Sequence, residues 1–387
     1  MFYTAVGLHR PDDDHVAQAE AGFVPGRAIG VHDGAELIAT SWSFGTRTVV
    51  PGGALLSAAG VSRVGVRADH TRRGLLSAMM RAQLTDLVER GEVLASLRAT
   101  EGRIYGRFGY GVATRGRDVS VRRAGGSGFR ANAPIGGTVR LIDPADAVAV
   151  LSPLHERIAL VRTGGITRYD EWWSGALAHR VTAREHLVVA VHTGPDGDDG
   201  FAVGAFRDGA VFTERALHID DLHAADLGAA SGLWRFLLGV DLAGTVEGAL
   251  RPLDEPLELM LANPRDVTTT SVRDETWLRI VDVPAALAAR SYGAGQAVTI
   301  AVHDRLLADN AGVYRVADGA AELVGPIGGP VPHDLECDVT GLAMAYLGDR
   351  RPSELVATGW WSGDPAAAQR ADALFGTDVV PWCGTFF

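Results

Sequence analysis

The chain has 387 residues, 47% of them hydrophobic and 21% charged, with 36 Lys plus Arg against 47 Asp plus Glu and a formal net charge of -11. That length exceeds one ordinary core, so two or three domains are expected, and the composition is that of a globular protein rather than a disordered or fibrous one. The acidic balance repels phosphate backbones and argues against a nucleic-acid partner.

The start, "MFYTAVGLHRPDDD", has no basic segment followed by an apolar one, and no apolar run reaches the ~18 residues of a membrane span. A cytoplasmic protein without a membrane partner is therefore expected. Asp12, Asp13 and Asp14 read as the first turn of a helix. "RAIGVHDG" and "ELIATSWSFGTRTVV" alternate apolar and polar residues around an Asp33-Gly34 turn, the pattern of a hairpin. A strand at 60–66, "GVSRVGV", leads through a polar stretch into a helix, whose apolar stripe runs through Leu75, Leu76, Met79, Met80, Leu84, Leu87 and Val88 and stops at Gly91. "VLASLRA" at 93–99 reads as a short inner strand.

The same order returns downstream in fainter form. The hairpin signal "GPDGDDG" (194–200) precedes strands at 201–210 and 211–220, an acidic loop, a helix at 229–240 and a strand at 244–250, and His218 and His223 with Asp220 and Asp221 read as solvated acidic loop rather than a metal site. This copy keeps the frame and lacks the arginines and glycine at the helix entrance, as expected of a structural repeat. A spacing of five sets His218 and His223 on no common helix face, which speaks against a metal pair. Cys337 and Cys383 lie in no metal-ligand spacing either and read as free thiols, so no metal is expected. From Trp277 onward come a strand, a helix opened by Pro284, strands near 296–304 and 311–317, and a last helix capped by Asp364-Pro365 and ended by Gly376.

Two stretches carry candidate chemistry. "TRRGLL" (71–76) lies between strand and helix, where free N–H groups and the helix dipole favour an anion. Arg72 and Arg73 add cationic donors, and Gly74 lets a ligand approach the backbone. A solvated helix start is the plainer alternative, but two cations at the positive end of a dipole call for an anionic ligand. Just upstream, Val64 and Val66 pack one face of a strand while Gly65 leaves the other open, so a splay between strands here would let an extended amide-bearing ligand add to the edge. In "TEGRIYGRFGYG" (100–111) the glycines prevent a long helix and put Tyr105, Phe108 and Tyr110 on a tight element beyond a strand end, so that Tyr105 or Tyr110 faces the crevice. The aromatic close "PWCGTFF" (381–387) reads as a docked tail that brings its own carboxylate into the structure.

Together, "VGVRADHTRRGLLSAMM" and "GRIYGRFGYGVAT" resemble the first domain of the GCN5-related N-acetyltransferases, specifically the Eis (enhanced intracellular survival) family. The resemblance implies an α+β protein with tandem GNAT (acyl-CoA N-acyltransferase) domains at 1–125 and 126–275, the second degenerate. A sterol-carrier-protein-like domain follows at 276–387. It also implies acetyl-CoA as acyl donor, an amine acceptor such as an aminoglycoside amine or a lysine side chain, and a homohexamer. On the same warrant Val64, Gly65 and Val66 hold the pantetheine arm. Arg72, Arg73, Gly74, Leu75, Leu76 and Ser77 cradle the pyrophosphate, with Thr100 and Glu101 beside the cofactor. Tyr105 is the general acid and the Phe387 carboxylate the general base. That base needs burial, against Phe386 and Trp382, to lift it from about 3.5.

The chain departs from the family pattern at Thr71, usually Arg, at Arg63, usually aromatic and lining the acceptor pocket, and at Phe386, acidic in some relatives. The last two lower the pull on a polycation. The stretch ahead of residue 27 is also short for the strand and two helices that open this fold. A weakly catalytic acyl-CoA or lipid-binding protein and an oligomeric scaffold are the rival expectations.

Overall fold

Residues 28–66 form three successive antiparallel strands. β1 (Ala28–Asp33) returns through Gly34 into β2 (Glu36–Val49), and β2 pairs with β3 (Leu55–Val66) from Val49↔Leu55 to Ala39↔Val66. The helix Leu75–Glu89 then crosses to β4 (Leu94–Leu97), which lies parallel to β3 with Ala58↔Leu94 through Val61↔Leu97 in register. Most of the expected stripe packs: Met80, Leu84 and Leu87 meet Ala59 and Val61 of β3 and Ala95 and Leu97 of β4 in one core, whereas Val88, expected in the stripe, is exposed at the helix's last turn.

The computed structural model describes residues 2–5, 7, 16, 23–123, 128–182, 186–209, 215–317 and 319–387. The helix turn expected at Asp12–Asp14 lies outside them. The chain divides into two units: Met1–Thr114 with Arg162–Ile166 and Asp274–Phe387, and Arg115–Val161 with Thr167–Arg273.

In the first unit, the sheet begun by β1–β4 is completed from far along the chain. The strand Trp277–Ile280, expected to open the C-terminal region, runs antiparallel to β4 (Trp277↔Leu97) and pairs on its other side with β5 (Gly111–Val112). Its apolar residues Leu278 and Ile280 are fully buried, which the middle of a sheet requires. A second sheet in this unit has the order 320–325, 312–317, 298–303, 335–338, 361–363. Around it lie Val283–Ala289, with Asp282 accepting from the Ala285 N–H at 2.9 Å, and Pro365–Phe375, capped by Asp364. Arg290, 1% exposed, ties two helix ends there by donating to the carbonyls of Tyr346 at 2.7 Å and Phe375 at 2.9 Å.

The second unit holds a seven-stranded sheet, ordered 267–274, 115–122, 245–252, 216–224, 197–207, 187–194, 138–141. The strand expected at 211–220 is, over its described residues, the inner strand Ala216–Ala224, which runs on through Asp221 and His223 where a loop was expected. Leu217, Ile219 and Leu222 are buried, with the phase shift after Ile219 supplied by a bulge. That break in alternation hid the strand's last residues from a period-two reading. The acids there are held rather than solvated: Asp221 takes two bonds from Arg168, at 2.6 and 3.1 Å, and Asp220 pairs with Arg180 at 2.9 Å. Among the described residues no cluster of His, Cys, Asp and Glu could hold a metal, and no helix is long and apolar enough to cross a membrane.

Candidate active site

The parallel pairing of β3 with β4 ends at Val61↔Leu97, yet β3 continues to Val66 with β2 on its other side. The β4-facing edge of residues 62–66, which includes Val64, Gly65 and Val66, therefore has no strand partner among the described residues. Its N–H and C=O groups are the kind that an extended amide can pair. A bulge marks where the two strands part. Arg63 has φ +52°, Thr40 Oγ1 donates to the Arg63 carbonyl at 3.1 Å, and the Arg63 guanidinium lies 5.0 Å over the Trp42 ring. The face that Gly65 was expected to leave open is covered, because a Cβ there would come within 3.0 Å of the Ala5 side chain in the short helix Phe2–Ala5. Only the strand edge is left for a ligand.

At the end of β3 the chain makes a short 3-10 turn, Ala68–His70, and enters the helix Leu75–Glu89 through Gly74. Arg67 bridges Glu36 and Asp69 at 2.7 Å each, and that guanidinium holds the Asp69 carboxyl well below the usual range. Thr71 Oγ1 donates to the Ala68 carbonyl at 3.0 Å and Arg73 to the Asp69 carbonyl at 3.4 Å. Arg72 (φ +62°) and Gly74 (φ +80°) are left-handed, and nothing lies within 4 Å of a Cβ placed at Gly74. No side chain caps the helix. Thr71, Arg72, Arg73 and Gly74 are exposed while Leu75, Leu76 and Ser77 are half-buried, so two arginines stand beside an exposed helix N-terminus, where the dipole favours negative charge.

Beyond β4, Glu101 caps the short helix Gly102–Tyr105 by accepting from the Arg103 N–H at 3.3 Å, and a 3-10 turn, Gly106–Phe108, follows. Thr100 sits exposed just before this cap. Tyr105 and Tyr110 meet edge to face at 6.0 Å. Burial raises both phenols, Tyr110 further because it is wholly enclosed, whereas Tyr105 keeps 7% of its surface. The turn rests on residues from far along the chain: Thr340 Oγ1 donates to the Gly106 carbonyl at 3.2 Å, and a Cβ on Gly109 (φ +88°) would fall 2.7 Å from Arg279 Nε. Arg279, itself fully buried, is held by Asp304 at 2.6 Å.

The tail is docked on the same sheet. Trp382 N–H donates to the Thr163 carbonyl at 2.9 Å, and Arg162 reaches the Val380 carbonyl at 2.7 Å. Phe387 stands edge-on to Phe44 of β2 at 5.2 Å. Phe386 points outward with 69% of its surface exposed, contrary to the burial expected of it, whereas Trp382 is 6% exposed.

The sequence pattern of the acetyltransferase (GNAT) domain matches residues 2–113, a second such pattern matches 164–280, and that of the sterol carrier protein domain matches 283–384. The N-acetyltransferase Eis of Mycobacterium tuberculosis is 34% identical over 91% of this chain and 87% of its own. The chain belongs to the Eis family of N-acetyltransferases. An uncharacterised N-acetyltransferase of Streptomyces griseus is 35% identical over 97% of this chain and 93% of its own. The crystal structure of Eis1 from Mycobacterium abscessus superposes with a TM-score of 0.89 at 36% identity, covering 100% of this chain and 95% of that one. This Eis-family chain is thus an N-acetyltransferase with two GNAT domains and a sterol-carrier-like domain, using a donor of the acyl-CoA type.

Two residues of the site escaped sequence reasoning. Arg98 is the lone charge in "VLASLRA" and could have been flagged for that alone. Glu275, in "RDETW", carries no local signal, since its importance depends on partners more than a hundred positions away.

Proposed function

We propose that the chain transfers the acetyl group of acetyl-CoA directly to a primary amine, of a small molecule or a lysine side chain, in a ternary complex. The observation that carries this reading is the parting of β3 from β4 after Val61↔Leu97, next to an uncapped helix N-terminus bearing Arg72 and Arg73. Val64, Gly65 and Val66 pair with the pantetheine amides, and the thioester carbonyl meets a backbone N–H on this edge, which stabilises the tetrahedral oxyanion. Arg72, Arg73 and the N–H groups of Gly74, Leu75, Leu76 and Ser77 take the pyrophosphate, with Thr100 and Glu101 beside the cofactor.

The Phe387 carboxylate takes the proton of the attacking amine, and Tyr105 donates to the departing thiolate. Burial keeps Tyr105 protonated across neutral pH, which is the state an acid must occupy. Its raised value makes full transfer to a thiolate near ~8.5 uphill, so its contribution is a hydrogen bond that strengthens as sulfur gains charge. Tyr110 is fully enclosed and serves as core. The assembly is a cytoplasmic homohexamer, testable by the mass of the purified protein in solution.

Thiol release from acetyl-CoA by the untagged protein, across aminoglycosides, polyamines, arylamines and lysine peptides, tests the reaction. Tyr105→Phe should lower kcat by roughly 10²-fold and leave acetyl-CoA affinity unchanged. No release with any amine despite tight acetyl-CoA binding would overturn the reading.

A further inference from the structure

We propose that Glu275 is the positioning residue of the C-terminal tail, fixing residues 383 and 384 so that the terminal carboxylate is delivered to the acceptor; this rests on the base assigned to Phe387 above. Glu275 is 1% exposed, a setting in which a carboxylate persists only if its charge and lone pairs are met. They are met almost wholly by the tail and the residue that grips it. Oε1 accepts the Gly384 N–H at 2.8 Å and Oε2 the Cys383 N–H at 3.0 Å. Arg98 lies 3.3 Å from Oε1 and also donates to the carbonyl of Thr385.

The carboxylate is itself rigidly mounted. Thr114 Oγ1 donates to Oε2 at 2.8 Å, and the same threonine accepts the Glu275 N–H through its carbonyl at 2.9 Å and the Thr276 N–H through its hydroxyl at 3.1 Å. Because Trp277 pairs with Leu97, Glu275 and Arg98 come together at the end of β4, where β3 and β4 part. One acidic side chain thus pins two consecutive backbone N–H groups at the mouth of the proposed cofactor cleft, three residues before the terminus. Beyond this pivot the last residues lean on Phe44 and on the Arg98 guanidinium, which lies 5.9 Å from the Phe386 ring and 5.8 Å from that of Phe387.

Glu275 also compensates the Arg98 cation, which lies 3.3 Å from its Oε1. Glu275 is almost wholly enclosed and bonded to the tail, so its effect on the rate passes through the tail.

The chain contains only two cysteines, Cys337 and Cys383, both buried, which gives a readout independent of turnover. In full-length, untagged Glu275→Gln, an amide replaces one acceptor oxygen with a donor facing an N–H, and the tail should come loose. Labelling by a thiol reagent, mapped by mass, should rise about tenfold or more at Cys383 and stay unchanged at Cys337. With the fastest amine of the panel above, kcat should fall about 10²-fold at unchanged acetyl-CoA affinity. Arg98→Met, which keeps the bulk and removes the grip on Thr385, should give the same selective labelling should Glu275→Gln fail to fold.

Unchanged Cys383 labelling, or equal exposure of both cysteines, overturns the proposal. A one-residue glycine extension after Phe387 separates it from the reading beneath: full activity there removes the base assignment. Selective Cys383 labelling with undiminished kcat in Glu275→Gln removes the positioning role.

Discussion

The ring of Phe387 stands edge-on to that of Phe44, centroids 5.2 Å apart and planes at 88°. Phe44 leans on Trp42 at 5.5 Å, and Trp42 carries the Arg63 guanidinium at 5.0 Å. A row of rings therefore runs from the bulge in β3 to the C-terminus. Edge-to-face contact of this kind adds about 0.5–1.5 kcal/mol to the burial itself, enough to bias a terminus toward one seat. Extending the chain by a short C-terminal tag keeps the row and moves the carboxylate. We expect kcat to fall by roughly 10²-fold or more with the unfolding midpoint unchanged, checked by thiol release and thermal melting. A fully active tagged protein would exclude the carboxylate as base.

Arg63 sets a charge at the other end of that row. On the expectation that Arg63 lines the acceptor pocket, a cation there should repel polycationic acceptors and favour amines that also carry an anionic group. Arg63→Met should raise kcat/KM for a polyamine and lower it for an ω-amino carboxylate, each on the order of tenfold at low salt, with the gap closing as salt is added. Equal changes for both acceptors would remove Arg63 from acceptor selection.

Gly109→Ala tests the seat of the tyrosine turn. Its φ of +88° disfavours any side chain, and the new Cβ would meet Arg279 Nε at 2.7 Å and Val339 Cγ1 at 2.8 Å. Strain and overpacking together should cost about 2–4 kcal/mol in denaturant unfolding. The rate should fall as well, since Tyr105 sits on the same turn.

In the second unit, His155 is fully buried, neither ring nitrogen has a hydrogen-bond partner, and its ring lies 5.0 Å from that of His223. Burial, with Arg168 and His223 adding to it and Asp221 opposing, holds its pKa well below the ordinary value. A histidine lowered on folding binds its proton more readily when unfolded, so stability is full above about pH 6.5 and declines as pH falls below that value. His155→Phe should shrink the loss of melting temperature between pH 7 and pH 5. An unchanged slope would assign the acid sensitivity elsewhere.

Much of the first sheet was legible because its signals are local. The turn at Asp33-Gly34, the stripe from Leu75 to Val88 and the glycines of 100–111 each prescribe a conformation within a few residues, and the hairpin, helix and tight turn formed where expected. The entry of residues 71–77 into a helix through Gly74, with two arginines beside it, was likewise written in the local sequence. The continuation of the strand Ala216–Ala224 past Asp220 was not legible, because its bulge breaks the alternation and its acids are neutralised by Arg168 and Arg180 from elsewhere in the chain.

By itself the sequence determined the family, the order of elements and the residue types available for acyl transfer, since all of these follow from near-neighbour patterns. Tertiary structure alone decided that Trp277–Ile280 enters the first sheet, that Tyr110 is core while Tyr105 keeps some exposure, and that Glu275 holds Cys383 and Gly384. The reason is physical: a hydrogen bond between residues a hundred positions apart leaves no periodicity in the chain, and a carboxylate such as Glu275 looks like any surface acid until its donors are brought to it.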